Sequence, residues 1–144
     1  MNDLHLYSDT QALVSFSNSD YLALGDITIP SGSSAYMMID DRDNVRFVSL
    51  TLYHGVPWIA YSDLVDGLYT LRLAHMLGTS TGNCGTSDLW DCEVLDDDGS
   101  VGMYPSLKIN SAGMAYISYY DDANGDLKLA YTRLFSFMPL LNKP

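Results

Sequence analysis

One pattern is stated twice in this chain, and an internal repeat narrows the architecture before any local reading begins. Residues 49–75 read SLTLYHGVPWIAYSDLVDGLYTLRLAH and residues 106–131 read SLKINSAGMAYISYYDDANGDLKLAY. Both open on Ser-Leu and carry a Gly after a short polar turn. Both then place an aromatic-Ile pair, a Tyr, an Asp and a second Gly, and close on Leu-basic-Leu-Ala followed by an aromatic or His. The offset is 57 at Ser49/Ser106, 58 at Gly55/Gly113 and 56 at Leu71/Leu127, because Leu68–Thr70 lengthens the first copy.

Within each copy the apolar residues alternate with period two, the signature of half-buried strands. The pattern predicts strands at Phe47–Tyr53, Val56–Ser62, Thr70–Met76 and Leu89–Leu95, then at Tyr104–Asn110, Ala115–Tyr120 and Leu127–Thr132. His54-Gly55, Asp96–Ser100, Ser111–Gly113 and Asn124-Gly125 supply the turns; the last is a strong hairpin signal, since both residues tolerate positive φ. Gln11–Leu24 could be read as a helix, but its Ser, Asn and β-branched residues argue against one. Eleven Tyr among 144 residues also favour strands.

Four strands in about 57 residues is the scale of a β-propeller blade, slightly above the usual roughly 40–50. The expected fold is therefore all-β: propeller-like blades of antiparallel four-stranded sheets in one domain, 1–144. Residues 47–102 form one blade, 103–144 a second with an off-pattern tail, and 1–46 a partial or degenerate blade. Two alignments compete for that first third. One sets Met38–Asp41 on Val94–Asp97 as a last strand; the other sets Ile27–Ile29 on Leu107–Ile109 and Ala35-Tyr36 on Ala115-Tyr116. Fewer than three blades make only an incomplete ring, which leaves apolar sheet exposed. A homo-oligomer of two or three chains completing the propeller is the expected remedy, with a fragment of a longer protein as the alternative.

Ser106-Leu107, Gly113, Ile117–Asp121 and Gly125–Ala130 resemble a repeat of bacterial multi-blade proteins, in which SL-x5-G-x-P-x-ISYYD-x3-GDLK-x-A recurs many times. The resemblance spans about residues 47–132 and includes a linker-like stretch from Cys84 through Trp90-Asp91-Cys92 to Leu107. It implies scaffold blades and says little about activity. This chain departs from the family in carrying two good copies rather than many.

Charge narrows the partners. Seven basic against 18 acidic residues give a net charge of −11, which repels phosphate backbones and anionic membranes, so no nucleic acid and no membrane is expected as a partner. No apolar run approaches the roughly 20 residues of a spanning helix. The N-terminus lacks the basic region of a signal peptide, so an intracellular location is expected unless the chain is a piece of a secreted protein.

Chemistry is harder to locate. Trp58 and Tyr116 hold equivalent repeat positions, as do Tyr61 and Tyr119. Such rings could serve as ligand-binding platforms that stack on sugars, or simply fill the space between blades. Cys84 and Cys92, eight residues apart, suit a disulfide across a hairpin or remain two free thiols. The acidic runs Asp40–Asn44, Asp96–Ser100 and Asp121–Asp126 read as solvated turns, since none has the Glu spacing of an EF-hand. His5, His54 and His75 match no metal spacing, and no nucleophile elbow, phosphate loop or zincin motif occurs. No cofactor, metal or catalytic residue is assigned. The chain reads as a non-enzymatic binding or interaction module with a glycan or protein ligand. The alternatives are a glycosidase-like hydrolase with carboxylates in a central funnel, and a structural scaffold.

Overall fold

A computed structural model describes residues 2–8, 11–17, 20–28, 34–42 and 44–133. The tail 134–144, Asp43 of the first acidic run and the His5 side chain lie outside what is described. The chain folds as three antiparallel sheets, each a simple meander in which consecutive strands pair. The first sheet comprises β1 (Asn2–Ser8), β2 (Gln11–Ser17), β3 (Leu22–Thr28) and β4 (Ser34–Asp40). The second comprises β5 (Arg46–Tyr53), β6 (Val56–Val65), β7 (Leu68–Met76) and β8 (Trp90–Asp96). The third comprises β9 (Val101–Ile109), β10 (Met114–Asp121) and β11 (Asp126–Arg133).

The all-β expectation is met, and each of the seven strands read from the repeat coincides with an observed one. Gln11–Leu24 supplies β2 and the start of β3. Residues 2–40, read from sequence as partial or degenerate, contain four paired strands. Asp40 closes β4 as Asp96 closes β8, so the sheet follows the alignment on Val94–Asp97. The rival fails because Ile27 lies on a third strand and Tyr36 on a fourth, whereas Leu107 and Tyr116 lie on a first and a second. No closed or propeller arrangement of the sheets is present among the described residues.

Turn chemistry sets the registers. His54-Gly55 and Asp66-Gly67 are two-residue hairpin turns with positive φ throughout (50° and 79°, 51° and 83°), the combination that matches the twist of paired strands. The second and third sheets then pair residue for residue in the same way. Trp58–His75, Ala60–Leu73 and Ser62–Leu71 face each other across β6 and β7, as Tyr116–Tyr131, Ser118–Leu129 and Tyr120–Leu127 do across β10 and β11.

Two apolar cores join the sheets. Between the first and second, Leu22, Leu24 and Ile39 meet Val48, Leu50, Ile59, Tyr61 and Trp90. Between the second and third, Trp58, Ala60, Leu71 and Leu73 meet Leu107, Ala115, Ile117 and Tyr119. The second sheet is thus covered on both faces, and its strand β6 reads as an almost unbroken buried run. Backbone passes very close at the second junction. Gly102 has φ +92°, and a Cβ there would stand 2.7 Å from the Cα of Leu71, so only glycine fits.

Candidate functional site

The same polar device recurs at both junctions. At the first, Tyr61 on β6 reaches across to the preceding sheet and its hydroxyl donates to Asp40 Oδ2 at 2.5 Å. Two residues along, buried Asp63 accepts from Arg72 Nε at 2.7 Å; Arg72 stands opposite Tyr61 on β7. At the second junction the Tyr119 hydroxyl donates to Asp96 Oδ2 at 2.6 Å. Lys128, opposite Tyr119, lies 2.7 Å from the same oxygen and 3.7 Å from Asp121. The first and second sheets therefore each end on an aspartate that takes the tyrosine hydroxyl of the next, with a second aspartate and a cation alongside.

Electrostatics hold both phenols and the Asp96 carboxylate in fixed protonation states. Burial, reinforced by Asp40, pushes the Tyr61 phenol well above its ordinary value. Burial and Asp96 do the same for Tyr119. Burial opposes ionisation of Asp96, yet the bonds from Lys128, Tyr119 and the Asp98 amide outweigh it and hold its carboxyl below the usual range. A phenol held protonated and donating to an aspartate is a clasp, suited to aligning two sheets rather than to moving protons.

The four aromatic candidates separate on inspection of their surroundings. Tyr61 and Tyr119 are buried with their hydroxyls committed to the clasps, and neither offers a free ring face. Trp58 is buried beneath the third sheet, its ring stacked on His75 with centroids 4.1 Å apart and planes 5° from parallel. Burial lowers the His75 pKa, with Asp91 pulling the other way. Tyr116 alone is exposed. Three of the four thus act between sheets, because a residue alternating to the covered side of a stacked sheet has a neighbouring sheet above it.

Cys84 and Cys92 are joined in a disulfide. It ties the loop before β8 to β8 itself, and the Asn83 amide brackets the same residue by accepting from Cys92 N (2.7 Å) and donating to Cys92 O (3.0 Å). Trp90 anchors this loop in the first core, its Nε1 donating to Met37 Sδ at 3.2 Å. Among the described residues no three His, Cys, Asp or Glu converge as a metal site. An apolar groove of about 410 Å³ opens between the first two sheets, lined by Leu13, Leu24, Tyr36, Met37, Pro57 and Met76.

The largest departure from an ordinary surface is the outer face of the third sheet. Leu127 is 81 % exposed, Leu129 60 % and Tyr131 70 %, with Tyr116 and Tyr120 beside them. Their register equivalents in the second sheet, Leu71 and Leu73, are 0 % exposed because the third sheet covers them. Among the described side chains on that face, Lys108 is charged and none is acidic, in a chain with 18 acids. Sequence reasoning missed both the clasps and this face. The alignment of Asp40 on Asp96 and of Tyr61 on Tyr119 contained the clasp signal; the face had none, since the same residues spell a covered surface in one copy and a bare one in the other. Comparison with family models, with curated proteins and with solved structures gives no match to this chain.

Proposed function

We propose that this chain is a non-enzymatic interaction module made of propeller-type repeat sheets, an incomplete stack whose business is to bind a further sheet of its own kind. One observation carries the reading: Leu127 and Leu129 repeat, in identical register, Leu71 and Leu73, which the second sheet buries against the third. A face built for coverage in one repeat supports coverage in the next, and an uncovered apolar patch of this kind is characteristic of protein–protein contact. The resemblance of residues 47–132 to multi-blade repeats agrees with this.

The test is Leu129→Asp, followed by sedimentation velocity over a concentration series and by circular dichroism. The module reading expects the wild type to associate and the variant to lose association while keeping its strand spectrum. Equal sedimentation of both as single chains would contradict it.

Carbohydrate recognition stands as a second reading on one specific observation, the exposed Tyr116 ring. It predicts binding on a glycan array that Tyr116→Ala abolishes. Glycan binding unaffected by that change would place any sugar site elsewhere.

A further inference from the structure

We propose that the exposed ring of Tyr104, backed by Phe47 and Tyr69 and bordered by acidic turns at the end of the second junction, binds an arginine side chain of a basic partner peptide. The site lies between the second and third sheets and stands apart from the outer face of the third.

The first observation is strain that recurs. Phe47 and Tyr104 occupy one repeat position, at the same offset of 57 as Ser49 and Ser106. Each sits on a β-bulge near the start of the first strand of its sheet. On β5 the pairing shifts between Arg46 and Ser49, and on β9 between Met103 and Ser106. Each has positive φ, 47° at Phe47 and 53° at Tyr104. That conformation suits glycine and is costly for a bulky ring, so a glycine would serve if the bend alone were needed. An aromatic stands there in both copies instead, and an outlier of this kind points to function.

A bulge re-aims the side chain it carries. Here it brings the two equivalent rings together, with centroids 4.3 Å apart and planes inclined at 54°. Phe47 rests in turn on Tyr69, at 5.6 Å and 56°. Phe47 and Tyr69 are half-buried, whereas Tyr104 is 58 % exposed. The outermost ring is thus held from behind and open to solvent, which orders a binding platform before any ligand arrives.

The second observation is charge. Tyr69 N donates to Ser100 Oγ at 3.3 Å, and Asp122 N donates to Ser100 O at 2.9 Å. These bonds draw three turns to the same end of the junction, and they carry the exposed carboxylates Asp66, Asp97, Asp98 and Asp122. Among the described residues none of the four is in an ion pair. Lys128 is committed to Asp96 and Asp121, and Arg72 to buried Asp63. Arg46, beside Phe47, is outnumbered by the four acids.

A ring face in such a field attracts a cation through its quadrupole. Guanidinium fits best, because it lies flat on a ring while its N–H fork reaches a carboxylate; a lysine ammonium is a compact, strongly hydrated point charge. Carboxylates spread over three turns call for more than one cation, hence a peptide rather than a single amino acid. A sugar would use the ring and leave the charge unanswered.

The experiment is calorimetric titration of the full chain, at about 20 mM salt where screening is weak, with end-capped Arg-Gly-Arg and Lys-Gly-Lys. The arginine probe should bind with Kd below about 1 mM, and the lysine probe at least about fivefold more weakly. Tyr104→Phe should retain binding. Tyr104→Gly should weaken it about tenfold or more, and Asp98→Asn combined with Asp122→Asn about fivefold or more. Since glycine is at ease at this φ and Tyr104 is exposed, Tyr104→Gly should leave the melting temperature unchanged or higher. Absence of arginine-probe binding overturns the proposal. Binding that Tyr104→Gly leaves intact also overturns it, reducing the effect to the general pull of an acidic protein. Glycan binding that Tyr104→Gly abolishes, without peptide binding, makes the ring a sugar platform instead. Should Tyr104→Gly lower the melting temperature, the exposed Asp98/Asp122 pair decides: unchanged binding there sinks the proposal.

Discussion

The face of the second sheet that the third covers and the outer face of the third are the same surface in two situations. Ala60–Leu73 and Ser62–Leu71 lie under a neighbouring sheet; Ser118–Leu129 and Tyr120–Leu127 lie in water, paired in the same register. Local sequence, turn chemistry and strand pairing are shared. What differs is whether another sheet covers them. A repeat unit of this kind does not bury its own apolar surface; its neighbour does, and stability is a property of junctions more than of units.

Leu73→Ala against Leu129→Ala is the sharpest way to test that comparison. Leu73 is enclosed in the second core, so its truncation should cost about 2–5 kcal/mol; Leu129, in single chains at low concentration, should cost under about 0.5 kcal/mol. Urea unfolding reads both, and equal losses would break the distinction. The disulfide separates the sheets next, because the third has none. Reducing Cys84–Cys92 releases an eight-residue separation and should cost about 2.5 kcal/mol in the chain-entropy model, read as a lower urea midpoint.

The clasps differ more subtly. Tyr61→Phe leaves the buried Asp40 carboxylate without its tyrosine donor and should cost about 1–3 kcal/mol, whereas Tyr119→Phe leaves Lys128 on Asp96 and should cost about 1 kcal/mol or less. A larger loss for Tyr119→Phe would reverse the ranking of the two junctions. The smallest effect is that of pH on the second clasp. Asp96 is held below its unfolded value, so its contribution is present above about pH 4 and fades as pH falls through the folded pKa. Tyr119 and Lys128 are raised, so theirs are present below about pH 10 and fade as pH rises beyond it. The melting-temperature gap between the wild type and Tyr119→Phe combined with Lys128→Met should be constant between these limits and shrink beyond either one.

The second and third sheets were legible because their strands alternate cleanly between short Gly-bearing turns, signals carried within a few residues. The first sheet was not. It shares with the second only the cross-strand triplet Leu4–Val14–Gly25, equivalent to Leu50–Ile59–Ala74, and the closing Asp40; these are scattered along 37 residues and become a pattern only once the strands pair. The candidate site was half legible for a related reason. Tyr61 and Tyr119 stood out as repeated aromatics, but their partners Asp40 and Asp96 come from the preceding sheet, 21 and 23 residues away. Whether a ring meets a ligand or a neighbour is decided by which sheet lies above it, and alternation along one strand does not state that.

Both cysteines are bonded to each other, so a single introduced thiol reports without interference. Labelling of Leu129→Cys by a maleimide, followed as the protein is diluted, therefore asks directly whether the open face of the third sheet is covered in solution as that of the second is. The account predicts that labelling is slow at high concentration and at least about tenfold faster on dilution, as the junction opens by mass action. Fast labelling at every concentration would contradict it.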